Sequence, residues 1–220
     1  MKIDLHIHTK YSIDSTSEPE KTMKYVAKRG LDGIAVTDHD TTKGWDDMLK
    51  AGKKFGMKVV LGEEVKVNWN KRRFEILGLF LNEMIKSRDF FEALDQIKSQ
   101  GGIICVPHPF DLYRGVRDYA ERLVKDVDAI EVFNSRVYSL NHNKKAFNFA
   151  QKHNLGMIAG SDAHIEFEAG NAYVIANASD TEDLRKDILK GKVKVIGSLV
   201  NPSVRFWCRL NQVISVFRNI

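Results

Sequence analysis

The feature that most constrains this 220-residue chain is a repeated alternation: short, nearly continuous apolar runs, each followed by an amphipathic stretch. The runs fall at residues 2–8, 33–37, 58–67, 74–81, 102–106, 129–133, 157–160 and 172–175. Unbroken Ile, Val, Leu and Phe over so few residues is how strands covered on both faces read. Helical periodicity lies between them, near 20–28, 45–55, 141–153 and 182–190, and in a stripe made by Phe90, Phe91, Leu94 and Ile97. Repeated strand–helix units predict a parallel sheet, and this many predict a barrel. The longest polar stretch, Asn-Trp-Asn-Lys-Arg-Arg at 68–73, fits a hairpin-like connection between two strands.

The expected organisation is one domain over 1–220, with the barrel at about 1–200 and an amphipathic helix at about 201–218. Asn201-Pro202 reads as a cap followed by proline at the first helical position. Phe206, Leu210, Val213, Ile214 and Phe217 then share a stripe. That helix is expected to pack on the barrel, with a homo-oligomer contact or a membrane-surface helix as the sharper alternatives. A hydrophobic content of 43% excludes a disordered chain. No apolar run approaches the ~20 residues that span a bilayer, and residues 1–11 do not read as a signal peptide. Two cysteines, Cys105 and Cys208, are too few for a disulfide scaffold, so a reduced, cytoplasmic setting is expected. The net charge of +5 favours phosphate-bearing partners only slightly.

Polar residues concentrate where the apolar runs end. These are Asp4-Leu5-His6-Ile7-His8-Thr9, Tyr11-Ser12-Ile13-Asp14-Ser15, Thr37-Asp38-His39-Asp40, Gly62-Glu63-Glu64, Val106-Pro107-His108-Pro109 and Gly160-Ser161-Asp162-Ala163-His164. In parallel α/β architectures that end of the sheet carries the active site. Residues two apart on a strand share a face, so His6 and His8 aim into one space, and Asp162 and His164 repeat the device. Closing a barrel brings the two pairs together. Five of the seven histidines (His6, His8, His39, His108 and His164) sit at run ends, with Asp14, Glu64 and Asp162 among them. Imidazole plus carboxylate suits zinc, manganese or iron. Taken singly, Asp38 or Asp40 reads as a helix cap, and His142 and His153, on a helical segment, read as surface or packing residues.

As a set, in this order, these motifs resemble the polymerase and histidinol phosphatase (PHP) domain family of metal-dependent phosphoesterases. They span residues 4 to 164, about three-quarters of the chain. The resemblance implies a distorted (β/α)7 TIM-like barrel of α/β class, with two or three divalent metal ions (Mn, Zn or Fe) in its mouth. It implies that His6, His8, Glu64 and Asp162 hold one metal and that Glu64 bridges to a second, bound also by His108. Asp14, His39 and His164 would hold a third. Members with three metals often carry a further histidine on the strand at 74–81. Here no histidine occurs between His39 and His108, and Glu75 stands in that place.

The expected activity is metal-assisted hydrolysis of phosphate esters, with no covalent nucleophile. His39 or His164 is the expected proton donor to the leaving group. Arg114, beside Tyr113 in the loop after His108, either clamps a phosphate or pairs with Asp111 or Asp118. The resemblance implies a small phosphorylated substrate, a nucleotide or the 5′ end of a short oligonucleotide, with histidinol phosphate as the other substrate class. A metal-stabilised, non-catalytic binding domain is the alternative from a different class. Amidohydrolase barrels share the opening His-x-His, but the Asp162-Ala163-His164 pair fits them less well.

Overall fold

Every expected apolar run forms a strand in the computed structural model, which describes residues 1–201. The strands are β1 (Lys2–Ile7), β2 (Gly33–Val36), β3 (Lys58–Trp69), β4 (Arg72–Leu79), β5 (Ile103–Val106), β6 (Ala129–Asn134), β7 (Gly156–Gly160) and β8 (Ala172–Ile175). A ninth, β9 (Lys194–Gly197), carries no fully buried residue. Antiparallel pairing with β8 holds it, so no apolar run marked it in advance. The helices are α1 (Pro19–Lys28), α2 (Trp45–Phe55), α3 (Phe90–Ser99), α4 (Ala120–Leu123), α5 (Leu140–Lys152) and α6 (Thr181–Leu189). Asp89, Ser139 and Asp180 cap α3, α5 and α6 by accepting from backbone N–H groups of the first turn. The helix expected over 201–218, together with Cys208, lies outside the described residues.

All nine strands form one sheet, in the order β7-β6-β5-β4-β3-β2-β1-β8-β9. The barrel closes where the chain leaving β7 meets β1. There Asp162 N–H donates to the His6 carbonyl at 2.8 Å, and His8 N–H donates to the Ala163 carbonyl at 2.9 Å. Gly160 permits this approach, since a Cβ there would collide with the His6 Cβ.

The expectation of a parallel sheet is corrected. β3 pairs antiparallel with β4, and β4 with β5. The cause is the polar stretch itself. Asn70 and Lys71 both take positive φ (48° and 62°), as a two-residue hairpin turn requires. A turn that tight can join only antiparallel strands. β8 also runs antiparallel to β1. The expected stripe on α3 loses Phe91, which is 50% exposed while Phe90, Leu94 and Ile97 are buried.

The core has two layers. One lies between sheet and helices, with Met23, Val26, Ile34, Val36, Met48, Phe90 and Ile97. The other fills the barrel with Ile3, Leu5, Ala35, Val60, Leu77, Leu79, Cys105, Ala129 and Ile158. Strand alternation links this inner layer to the site. Val60, Gly62 and Glu64 share a face of β3, Leu79, Leu77 and Glu75 share one of β4, and Ala129 and Glu131 share one of β6. Each inner face is apolar at the barrel floor and turns acidic at the mouth.

Candidate metal centre

All eight expected ligands converge at the carboxyl ends of the strands. His6, His8, Glu64 and Asp162 are fully buried; His108 and His164 are 2% and 4% exposed. Glu63 turns away from the centre and accepts from Ile85 N–H at 2.9 Å. Alternation therefore selects Glu64.

The separations are those of ligand atoms around shared points. His6 Nε2 and His8 Nε2 lie 3.1 Å apart, and each is 3.3 Å from Glu64 Oε2. Asp162 Oδ1 is 3.7 Å from His6 Nε2 and 3.4 Å from His8 Nε2. A tetrahedral ion with bonds of about 2.0–2.2 Å sets its ligand atoms about 3.4 Å apart. Glu64 Oε2 and Asp162 Oδ1 are buried and have no hydrogen-bond donor among the described residues. Buried carboxylate oxygens left this way are costly unless a cation satisfies them, so the donor set fits a metal.

Three groups of ligand atoms, each mutually within 4.8 Å, can hold an ion: His6, His8 and Glu64; His8, His39 and His164; and His39, Glu64 and Glu75. The Glu75 carboxylate stands 3.6 Å from His108 Nε2 and 3.9 Å from His39 Nδ1. A carboxylate thus occupies the position left without a histidine. Asp14 reaches the opposite rim, 3.1 Å from His164 Nε2 and 3.6 Å from His39 Nε2.

A second ring of groups turns the imidazoles. Glu131 accepts from His6 Nδ1 at 3.0 Å, from His108 N–H at 2.7 Å and from Asn134 at 3.0 Å. His164 Nδ1 lies 2.9 Å from the Asp162 carbonyl, which can only accept. The Ser12 hydroxyl donates to Asp38 at 2.8 Å, which leaves its lone pairs for His8 Nδ1 at 3.2 Å. In the neutral, metal-binding form of these three rings the proton therefore sits on Nδ1, and Nε2 faces the centre with a free lone pair. Asp38 is no helix cap. It accepts from Thr9 N–H at 2.6 Å and so ties down the loop after β1. Glu131 and Asn134 were missed from the sequence, where one acid inside the apolar run 129–133 was their only signal.

Arg114 pairs neither with Asp118 nor chiefly with Asp111. Its Nη1 donates to Asp162 Oδ2 at 2.6 Å, against 3.9 Å from Nε to Asp111. Asn134 donates to the same Asp162 oxygen at 3.2 Å. Asp162 Oδ2 is thus occupied and Oδ1 is turned to the histidines. Two site residues hold strained backbone, with φ of 54° at Asp162 and 29° at His108.

Charge is concentrated strongly. Burial alone would favour a neutral Asp162, but Arg114 and His6 hold its carboxyl well below the usual range. Burial opposes charge on His8 as well, but the Asp162 and Glu64 carboxylates accept from the protonated ring and outweigh it, raising its pKa to about 9. Burial and the nearby Arg136 lower His164 to about 4. Outside the centre, His153 packs on Phe149 and pairs with Glu121 at 3.0 Å, in keeping with a packing role.

A mixed α/β barrel whose mouth gathers histidines and carboxylates in this way defines a barrel with a candidate metal centre. The PHP domain matches residues 4–197, and the chain belongs to that family. An uncharacterised protein of Methanocaldococcus jannaschii is 37% identical over 182 residues, covering 79% of this chain and 70% of that protein. A Haemophilus influenzae 5′-3′ exoribonuclease is 35% identical over 78 residues, or 36% of this chain and 28% of that one. Among solved structures, a two-domain Bacteroides vulgatus protein with a PHP-like metal-dependent phosphoesterase superposes with a TM-score of 0.73 at 19% identity, covering 90% of this chain and 65% of that chain. A lesion-specific endonuclease from Pyrococcus furiosus gives 0.63 at 19% identity, over 88% of this chain and 57% of that one. Among the described residues no helix is long and apolar enough to cross a membrane.

Proposed function

We propose that the protein is a metal-dependent phosphoesterase acting on nucleotides or the 5′ ends of short oligonucleotides. The observation that carries this reading is the ring of imidazole and carboxylate atoms, 3.1–3.7 Å apart, around His6, His8, Glu64 and Asp162. The nuclease names among its relatives and neighbours support the substrate class.

When bound, two or three divalent ions held by His6, His8, Asp14, His39, Glu64, His108, Asp162 and His164, with Glu75 completing the set, supply Lewis-acid charge for hydrolysis. The chain's own residues set the stage. Glu131, Ser12 and the Asp162 carbonyl fix the imidazole orientations before any ion arrives. His164 donates its Nδ1–H to the Asp162 carbonyl and is neutral near pH 7, so it acts as a ligand. His39, nearer the rim, is the group placed to hand a proton to the leaving oxygen where it is not committed to an ion. Arg114 spends one Nη1 hydrogen bond on Asp162, and its remaining donors can meet phosphoryl oxygens.

The test is a phosphatase assay with Mn, Zn and Fe supplied separately. Its substrates are thymidine 5′-monophosphate, a 5′-phosphorylated oligonucleotide and histidinol phosphate. Release of phosphate or nucleotide from the first two is expected. Turnover of histidinol phosphate alone would replace the substrate class, and no turnover of any ester with any metal would leave a metal-bound binding domain as the better reading.

A further inference from the structure

The β3–β4 hairpin continues past the barrel. β2 ends at Val36, opposite Leu61, while β3 runs on to Trp69 with β4 as its partner. Across this ladder Glu64 faces Leu77, Lys66 faces Glu75, and Asn68 faces Arg73. Residues two apart on a strand share a face, as do residues directly opposite. One face therefore carries Glu64, then Lys66 beside Glu75, then Arg73 beside Asn68, in steps of about 7 Å. The same Lys66 and Arg73 line a cleft of about 340 Å³ with Glu75, Tyr113 and Arg114. Glu75 and Arg114 also touch the centre, so the cleft opens directly from it. Neither Lys66 nor Arg73 has an acid within ion-pair distance among the described residues. Tyr113 is 74% exposed, with its ring centroid 5.4 Å from that of half-exposed Tyr138.

We propose that this cleft is a subsite for a second phosphate of the substrate, carried one or two nucleotide units from the phosphate at the metal centre, with a base against Tyr113. Three cations spread along a path meet a chain of phosphates better than a single one. Arg73 stands two rungs, about 14 Å, beyond Glu64, out of reach of a phosphate lying at the centre. Exposed aromatic rings beside a cationic groove stack bases without regard to sequence. The inference rests on the phosphoesterase reading above and assigns Lys66 and Arg73 as residues that select chain length.

The test uses the full-length protein and the double variant Lys66→Gln with Arg73→Gln. The substrates are p-nitrophenyl phosphate and a 5′-phosphorylated thymidine trinucleotide. Expected is a loss of about tenfold in kcat/KM on the trinucleotide, mostly in KM, with turnover of p-nitrophenyl phosphate unchanged. The salt dependence of trinucleotide affinity should flatten by about 0.7 per lost contact. The charge-keeping pair Lys66→Arg with Arg73→Lys should retain the preference. Equal losses on both substrates, or none on either, would overturn the subsite. Binding of a fluorescein-labelled trinucleotide in EDTA, read by anisotropy, separates the two claims. If the wild type cleaves no ester yet the double variant weakens this binding, the cleft stands and the phosphoesterase reading falls. If p-nitrophenyl phosphate is cleaved and the variants do not discriminate, the cleft alone falls.

Discussion

The wall of the metal pocket and its rim are built differently. On the wall, His6, His8, Glu64 and Asp162 are sealed from solvent, and each histidine is turned by a partner that itself has other hydrogen bonds. At the rim, the side chain of Asp14 is 38% exposed, Glu75 14% and His39 9%. His39 stands between the other two, 3.6 Å from Asp14 and 3.9 Å from Glu75. The wall is shaped before a cation binds, because burial leaves its polar atoms no water to fall back on. The rim keeps access to water, which a site that admits substrate and releases product must do. The difference teaches that one Glu64 serves both halves: it touches the sealed histidines and the rim histidine His39 alike, with Glu64 Oε2 3.1 Å from His39 Nδ1.

The comparison breaks most visibly if the wall is breached. His8→Ala or Asp162→Ala should reduce phosphoesterase activity by more than the roughly 100-fold that bounds loss of an outer partner, with the far-UV circular dichroism spectrum retained. Wild-type turnover by either variant, with metal supplied, would remove these residues from the centre. Next comes the support behind the wall. Glu131→Gln places amide hydrogens against donors from His6 and His108, and should weaken metal binding by about 10–100-fold. The visible spectrum of the cobalt-loaded protein should shift with it, a signature that a merely local packing defect would not produce. The rim should yield less. Glu75→Gln should lower metal stoichiometry, measured by plasma mass spectrometry, by up to one ion while the wall site stays filled. Loss of all metal would show that wall and rim bind as one unit.

The smallest effect is a proton count. The His8 pKa is raised to about 9 in the metal-free site, so near pH 7 the imidazole is protonated. Metal coordination needs the neutral ring. Affinity should therefore rise as pH rises, by up to tenfold per unit for this group, and level off above about 9. Calorimetry in buffers of different ionisation enthalpy should find proton release on binding at pH 7. Absence of release would show that the wall already stands neutral.

Legibility followed period. His6 and His8, or Asp162 and His164, could be placed on one side because a strand repeats every two residues, and the apolar runs set where that period begins and ends. The resemblance implied Glu64 rather than its neighbour Glu63, and the hydrogen bond that Glu63 accepts from Ile85 N–H, on the other face of the strand, supplies the physical reason. Phe91 was misplaced because a helical stripe three or four residues wide does not say where its edge meets solvent. Glu131 was overlooked because an acid in an apolar run announces burial, and its partners His6 and His108 lie 125 and 23 residues away.

What the sequence determined by itself was local and periodic: eight of the nine strands, the five longer helices, the hairpin turn at 68–73 and the chemical types gathered at strand ends. Each follows from forces acting within a few residues, namely backbone sterics, capping and alternation of polarity. Tertiary structure alone decided the antiparallel insertion of β4, the seam at which Asp162 meets His6, the turning of Arg114 onto Asp162 and the tautomers imposed by Glu131 and Ser12. Those depend on separations in space between groups distant along the chain, which closing the barrel fixes and no short stretch of residues encodes.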